Sequence, residues 1–388
     1  MSLLQNDIKT LHELLINKKV TSKELVDESI KLAKEYNSDY NFFVTINEDA
    51  LEKEVTDNLL SGIPCAIKDN LSTANILSTG SSNTLKDYVP FFDATAVKKL
   101  NEANAVDIGK TVMDELGMGG TGTTGHTGIV RNPWDRKRIT GGSSAGSAGA
   151  VAAGIVPYAL GSDTGDSIRK PAAYCGIVGY KPTYGLVSRY GLFPFASSLD
   201  HVGCLTRNVY DAAVVIDQIK GQDEHDMTSL PNSTEKLVDS LGSDVSSKKL
   251  FYIKEICDIN SYDEKTEELK KTLDIFKQTI DKCRDLGMTV EEVSIDRHLL
   301  EAIYPTYVCL SCAEATSNYS NLTGIVFGPR GKGNTINDIM IDHRTNGFSP
   351  LIKRRFIIGS YVLQQENQER YFKNAQRVRR LIVNKMNE

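Results

Sequence analysis

The chain has 388 residues, of which 40% are hydrophobic and 24% charged, values typical of a globular protein and unlike those of a disordered chain. Its formal net charge of −5 gives no electrostatic reason to expect that the chain binds nucleic acid by itself. We expect neither a signal peptide nor a membrane span, because the N-terminus lacks a basic segment and no stretch approaches 18 apolar residues.

The seven cysteines are scattered and odd in number, which favours buried thiols in a reducing compartment. The motif Cys309-Leu-Ser-Cys312 stands alone and lies in a predicted helix. Two cysteines without further ligands do not make a zinc site, so we expect no bound metal. The expected location is the cytoplasm, or the mitochondrial matrix if the source is a eukaryote.

The N-terminal segment predicts helices around one strand. Residues 3–17 form the first predicted helix, and Thr21-Ser-Lys-Glu24 is a capping box that begins a second. Phe42-Phe-Val-Thr-Ile46 is typical of a strand, and a third helical stretch is expected between it and Gly62.

The apolar strand that follows Gly62 ends abruptly in Lys68, Asp69 and Asn70. A lysine at the end of a buried strand is unusual, because its ammonium group must find polar partners. The alternative is a lysine at a strand edge whose amine reaches solvent.

A helix over Thr95 to Glu102 and a strand over Val106 to Lys110 are predicted next. The loop from Gly117 to Gly128 is rich in Gly and Thr. It lacks the Gly-Lys-Ser/Thr ending of a phosphate-binding loop, so we do not predict a nucleotide site there.

Two clusters of Gly and Ser then flank one apolar run. They occupy Thr140 to Gly149 and Gly161 to Pro171, and the run between them, Ala150 to Leu160, is predicted to be one buried element. Small hydroxyl side chains held in rigid turns suit a catalytic site. The alternative is a pair of flexible loops.

The C-terminal half contains a predicted β-α-β unit, which indicates an α/β fold. Its parts are a strand at Lys249 to Ile253, a long amphipathic helix at Asp263 to Leu286 and a strand at Met288 to Val293. The other predictions are listed in chain order: an apolar strand within Tyr174 to Gly185, a polar surface segment at 230–247, a helix at 300–322, an irregular region at 324–350 and a long helix at 355–386. Without a repeat or a clear linker, residues 1–388 are predicted to form a single domain.

The Gly/Ser clusters resemble the amidase signature family. The segments Gly141-Gly-Ser-Ser-Ala-Gly-Ser147 and Gly161-Ser-Asp-Thr-Gly-Asp-Ser-Ile-Arg169 carry this resemblance. Further motifs look like the A-subunit branch of that family, which serves tRNA-dependent amidotransferases; they are Ile67-Lys-Asp-Asn70, Lys181-Pro-Thr-Tyr-Gly185, Val187-Ser-Arg-Tyr-Gly191, Phe195-Ala-Ser-Ser-Leu-Asp200, Leu205-Thr-Arg-Asn208 and Ala313-Glu-Ala-Thr-Ser-Asn318. The resemblance implies an α/β amidase signature fold with a central mixed sheet covered by helices on both faces.

The resemblance also implies a Ser–cis-Ser–Lys triad. The nucleophile falls on Ser167, the serine after a cis peptide bond on Ser143, and the base on Lys68. A serine hydroxyl needs a base to become a good nucleophile, and burial can leave a lysine neutral near pH 7. By the same resemblance, the backbone N–H groups of Thr164, Gly165 and Asp166, up to Ser167 itself, are expected to form the oxyanion hole.

The family also implies that Tyr307 and Arg355 bind the substrate glutamine, with Arg355 clamping the α-carboxylate. The alternative for Arg355 is a solvated surface side chain. Three departures stand out: Asp166 lies where the family usually has Gly, Ala145 lies where Gly is common, and the family's C-terminal segment, with its acidic group, is expected to be absent. We also note Lys170 at a position where Gln is common.

The implied function is that of a glutamine amidohydrolase subunit whose ammonia converts Glu-tRNA(Gln) to Gln-tRNA(Gln). The implied partners are B and C subunits. The tRNA, either tRNA(Gln) or tRNA(Asn), is expected to bind this chain only by way of the B subunit. No cofactor is expected on this chain, and ATP and Mg²⁺ would act on the partner subunit. Two alternatives stay open: a stand-alone amidase for small amides, and a scaffold subunit whose catalysis is weakened by Asp166 and by the expected absence of the C-terminal segment.

Overall fold

The computed structural model describes residues 2–232 and 235–388. Contacts divide the chain into two compact units, residues 1–239 with 311–361 and residues 240–310 with 362–388. Because compact units within one chain need not fold independently, the single domain expected from the sequence stays a prediction.

The first unit is built on a six-stranded mixed sheet with the order β1-β3-β2-β4-β6-β5. Parallel pairing joins β2 to β3 and to β4, whereas the β1–β3, β4–β6 and β5–β6 pairs are antiparallel. The strands are β1 Phe43–Ile46, β2 Pro64–Lys68, β3 Val106–Thr111, β4 Tyr158–Asp163, β5 Val178–Tyr180 and β6 His201–Thr206.

The helices that begin in this unit before residue 240 are α1 Ile8–Ile16, α2 Ser22–Tyr40, α3 Thr95–Glu102, α4 Ala145–Ala152, α5 Arg169–Cys175 and α6 Val209–Ile219. The second unit contains a two-stranded parallel sheet of β7 Lys249–Ile253 and β8 Thr289–Val293. The α-helices after residue 240 in either unit are α7 Lys254–Cys257, α8 Glu267–Asp285, α9 Arg297–Glu301, α10 Ile303–Asn318, α11 Ile336–Gly347, α12 Pro350–Leu363, α13 Gln365–Gln368 and α14 Asn374–Asn387, with a π-helical turn at Glu369–Lys373.

Both faces of the six-stranded sheet are buried under helices. Successive side chains of a strand point to opposite faces. Cys65 and Ile67 of β2 accordingly join one apolar core with residues of α1, α3 and α6, whereas Ala66 joins another with residues of α2, α4 and α5. The predicted α/β fold, with a mixed sheet covered on both faces, is confirmed.

Several elements differ from the expectation. The first helix is split into a 3-10 turn and α1, and no regular element occupies the third helical stretch expected after β1. The apolar run between the Gly/Ser clusters forms the end of α4 and the start of β4 rather than one element. The region expected to be irregular contains α11, which begins at a capping box of Thr335 and Asp338.

The β-α-β unit of the second unit is as predicted. Thr266 caps α8 by accepting a hydrogen bond from Leu269 N–H, and β7 and β8 pair in parallel. The capping box at Thr21 and Glu24 also forms at the start of α2. Along residues 2–232 and 235–388, no helix is long and apolar enough to cross a bilayer.

Candidate active site

Parallel pairing of β2 and β4 brings the ends of these two strands together. Ile67 pairs with Leu160, so Lys68, the last residue of β2, lies beside the segment that carries Ser162. The Lys68 side chain is fully buried. Its amine therefore has to be satisfied by groups at this end of the sheet rather than by bulk solvent.

Three oxygen atoms surround the Lys68 amine. Nζ lies 2.8 Å from Ser143 Oγ, 2.8 Å from Ser162 Oγ and 3.1 Å from the Ser162 carbonyl oxygen. A neutral amine has two N–H groups and one lone pair. It can donate to the two Ser162 oxygens and accept the Ser143 hydroxyl proton, so the geometry suits a base.

Burial lowers the pKa of Lys68 to about 7, against the opposing charges of Asp163, Asp114 and Asp200. Desolvation penalises the charged ammonium form, and this effect is larger here than the attraction of the three carboxylates. A substantial fraction of Lys68 is therefore neutral near physiological pH.

Ser143 lies just before α4, and the peptide bond between Gly142 and Ser143 is cis. Gly142 has no room for a side chain, because an added Cβ would lie 2.0 Å from Asp114 Oδ2. Its N–H donates to the Gly120 carbonyl, and the Ser143 carbonyl accepts from Asp114 N–H. The turn that presents the Ser143 hydroxyl is thus held by backbone contacts on both sides.

The Gly/Thr loop wraps a carboxylate of this chain. Asp114 accepts hydrogen bonds from the backbone N–H groups of Thr121, Gly122, Thr123 and Thr124, and from the Thr124 hydroxyl at 2.8 Å. Because these donors are directed at Asp114, the loop serves to hold the backbone beside Ser143.

Ser167 lies in the turn between β4 and α5 and is almost fully buried. Its carbonyl accepts a hydrogen bond from Ser144 N–H at 3.1 Å, so the backbones that carry Ser143 and Ser167 are directly joined. The structure thus brings Lys68, Ser143 and Ser167 into one region, with Lys68 bonded to Ser143. It forms no Ser143–Ser167 hydroxyl hydrogen bond within the described residues.

Arg169 fixes the turn that contains Thr164, Gly165 and Asp166. Its guanidinium binds the Asp163 carboxylate through Nε at 3.1 Å and Nη2 at 3.0 Å, and it also donates to the Gly165 carbonyl. Burial alone would raise the pKa of Asp163, but hydrogen bonds from Arg169 and from Ile168 N–H lower it overall.

The N–H groups of Thr164, Gly165, Asp166 and Ser167 donate no hydrogen bond to any described residue. The φ angle of Asp166 lies outside the left-handed region, so this turn does not need glycine there. Unpaired backbone donors next to a serine are able to bind a developing oxyanion.

Arg355 lies in the first unit, on α12. Its guanidinium stacks 5.7 Å from the centre of the Phe195 ring, and its Nε is buried with no hydrogen-bond partner among the described residues. Such an unsatisfied donor can bind a carboxylate. Tyr307 lies on α10 in the second unit, with its ring 6.4 Å from that of Tyr304.

The site also uses side chains to which the sequence analysis gave no role. Asn70 donates to Ser162 Oγ at 2.9 Å, and Thr164 Oγ1 donates to Asp200 at 2.6 Å. The end of α10 holds the loop that contains Asp200, because Glu314 accepts hydrogen bonds from Ser198 N–H and its hydroxyl. All of these residues lie in the motifs that carried the family resemblance, so the motifs marked them without giving their function.

The family model described as Amidase matches residues 24–388. The chain belongs to the amidase family. In the described residues of this amidase, no group of three or more His, Cys, Asp or Glu side chains is placed to hold a metal ion.

Among curated proteins, this amidase is 40% identical to the glutamyl-tRNA(Gln) amidotransferase A-subunit of Pediococcus pentosaceus, over 98% of the chain and 79% of that protein. It is 41% identical to the protein of the same name from Oenococcus oeni, over 97% of the chain and 78% of that protein. The crystal structure of the glutamyl-tRNA(Gln) amidotransferase A-subunit from Thermotoga maritima matches with a TM-score of 0.80 and 36% identity, over 100% of this chain and 77% of that one.

Proposed function

We propose that this amidase is the glutamine-hydrolysing subunit of a tRNA-dependent amidotransferase that converts Glu-tRNA(Gln) to Gln-tRNA(Gln). The observation that carries the chemistry is the buried Lys68 amine, 2.8 Å from the hydroxyl of Ser143. The extent of the similarity to amidotransferase A-subunits supports the tRNA-dependent pathway.

In this mechanism Ser167 Oγ attacks the side-chain carbonyl carbon of glutamine. The Ser167 proton passes to Ser143 Oγ while the Ser143 proton passes to neutral Lys68. The oxyanion is bound by the N–H groups between Thr164 and Ser167, each typically worth about 3 kcal/mol in such sites. The relay then returns a proton to the departing nitrogen, which leaves as ammonia.

Water completes the reaction by the same relay. It attacks the glutamyl ester on Ser167, gives up a proton toward Lys68, and releases glutamate, so that glutamine and water yield glutamate and ammonia. All groups that bind or move protons are side chains or backbone of this chain, which therefore needs no cofactor for this half-reaction.

We assign Arg355 to the α-carboxylate of glutamine, because its buried Nε lacks a partner among the described residues. The role of Tyr307 in binding glutamine, which the family resemblance implies, stays a prediction. ATP and Mg²⁺ belong to the partner that activates the tRNA-bound glutamate, with B and C subunits as the partners and the tRNA held by B. The reaction is proposed to take place in the cytoplasm.

The test is glutamine hydrolysis by the full chain co-purified with its B and C subunits. Ser167→Ala should abolish ammonia release, and Lys68→Arg should lower kcat by several orders of magnitude because arginine keeps its charge and cannot act as a base. Thermal melting of each variant shows whether the loss is chemical or a failure to fold. Wild-type turnover by Ser167→Ala would refute the nucleophile assignment.

The same preparation distinguishes the alternatives. Activity on small amides by the isolated chain, unaffected by tRNA and ATP, would instead indicate a stand-alone amidase. A chain that assembles with its partners but whose Ser167 does not react with a fluorophosphonate probe would indicate the scaffold role.

A further inference from the structure

The turn that carries the nucleophile contains a carboxylate. Asp166 directly precedes Ser167, and its own N–H is among the four unpaired donors of the proposed oxyanion hole. A negative charge at this position opposes the negative charge that develops on the substrate oxygen. An unpaired Asp166 would therefore lower the rate of acylation.

Lys170 pairs with this carboxylate. Its Nζ lies 2.5 Å from Asp166 Oδ2, and the two side chains are only partly exposed, 31% for Lys170 and 45% for Asp166. The spacing is one helical turn, and Lys170 N–H also donates to the Asp166 carbonyl at 2.8 Å. The backbone thus fixes the two residues close to each other before the side chains pair.

The position of Lys170 is set by a second piece of backbone. Its ammonium lies next to Gly120, where an added Cβ would be 2.8 Å from Nζ, and an added Cβ at Gly141 would be 3.4 Å from its Cγ. Gly120 and Gly141 belong to the segments that hold Ser143, because the Gly120 carbonyl accepts from Gly142 N–H. Lys170 therefore spans from the Ser167 turn to the Ser143 turn.

We propose that Lys170 is a positioning residue that neutralises Asp166 and holds its carboxylate away from the oxyanion. The inference rests on the proposed function only in taking glutamine as the substrate. A partly exposed ion pair contributes little to folding stability, so its removal should leave the fold intact.

The test compares Lys170→Gln, Lys170→Arg and the double variant Asp166→Asn/Lys170→Gln in the full chain co-purified with its partners. Lys170→Gln exposes the Asp166 charge and should lower kcat about tenfold with little change in KM. Lys170→Arg keeps the positive charge and should retain most of the activity. The double variant removes both charges and should recover most of the loss.

The rate at which a fluorophosphonate modifies Ser167 should follow the same order, because this reaction also places negative charge on an oxygen in the same turn.

This second readout distinguishes failure of the proposed function from failure of the role of Lys170. If glutamine is not hydrolysed but the labelling rates follow the predicted order, the proposed function fails and the role of Lys170 stands. Equal rates for Lys170→Gln and wild type, or a double variant as slow as Lys170→Gln, would overturn the role of Lys170. A wild-type chain that neither hydrolyses glutamine nor is labelled would overturn both.

Discussion

At the scale of single residues, the central feature is one amine held by two serines. Lys68 is fully buried, and its three oxygen partners come from Ser143 and Ser162. The same burial that lowers its pKa also prevents it from rotating to another partner. A base that is both neutral and fixed in direction is what a proton relay requires.

This arrangement predicts how activity depends on pH. Below a pH of about 7, which is the pKa of Lys68, the amine is protonated and has no lone pair for the Ser143 proton. Above it the amine is neutral, so kcat/KM for glutamine should rise with pH through this value and then level off. The profile is measured at fixed ionic strength from about two pH units below to about two above, with melting temperatures recorded at each pH. A rate independent of pH across this range would contradict the assignment of Lys68 as the base.

The sequence could identify Lys68 as unusual, because a lysine ends a strand of apolar residues. It could not show the partners of Lys68 without the family resemblance. Ser162 is 94 positions away in the chain, and only the parallel register of β2 and β4 brings it to the amine. The Asp166–Lys170 pair is local, yet no sequence pattern showed that the two side chains meet beside Gly120.

At the scale of elements, the Gly/Thr loop and the Ser143 turn form one backbone assembly around Asp114. The loop donates to the Asp114 side chain, while the Asp114 N–H donates to the Ser143 carbonyl. A change at Asp114 is therefore transmitted to the Ser143 turn through main-chain contacts.

Asp114→Asn tests this assembly. The amide group presents one NH₂ to N–H donors that need an acceptor, so at least one buried hydrogen bond is lost. We expect a loss of unfolding free energy of about 2 kcal/mol, together with a lower kcat as the Ser143 turn loosens. Denaturant unfolding and glutamine hydrolysis measure the two effects.

The matched control is Asp135→Asn, because Asp135 accepts from Lys137 N–H in an exposed turn. This control should change neither quantity by more than a small amount. If Asp114→Asn were as stable and active as the control, the loop would not be held by its carboxylate.

Elements with a local sequence pattern were predicted well. The capping box of α2, the helix α3 and the β7–α8–β8 unit depend on neighbouring residues and match the structure. Strand β6 and helix α6 were missed. Strand β6 lies within a sheet buried on both faces, so its apolar and polar residues do not alternate. Helix α6 could have been predicted from Asn208, whose side chain caps the helix by accepting a hydrogen bond from Asp211 N–H.

At the scale of the whole molecule, the acidic charge and the proposed partners fit together. A protein that binds tRNA by itself needs a concentration of Lys and Arg, and this chain has 45 such residues against 50 Asp and Glu. The proposed division of labour leaves glutamine chemistry to this chain and RNA contact to a partner.

We therefore expect the isolated chain to bind tRNA(Gln) no more tightly than an unrelated acidic protein at about 150 mM salt. Addition of the B and C subunits should produce a complex that contains this chain and the tRNA. Electrophoretic mobility shifts with labelled tRNA measure both. Tight, salt-sensitive binding by the chain alone would place the RNA contact on this protein.

The packing of helix α4 on neighbouring main chain limits how far such a sequence can diverge. Gly146 packs directly on main chain, with its N–H bonded to the Val112 carbonyl and no space for a Cβ beside the Phe42 carbonyl. Substitutions that exchange one apolar side chain for another leave this main-chain contact unchanged. The turn before α4, which carries Ser143, can therefore persist in relatives whose core side chains differ widely, provided that Gly146 and Gly142 are kept.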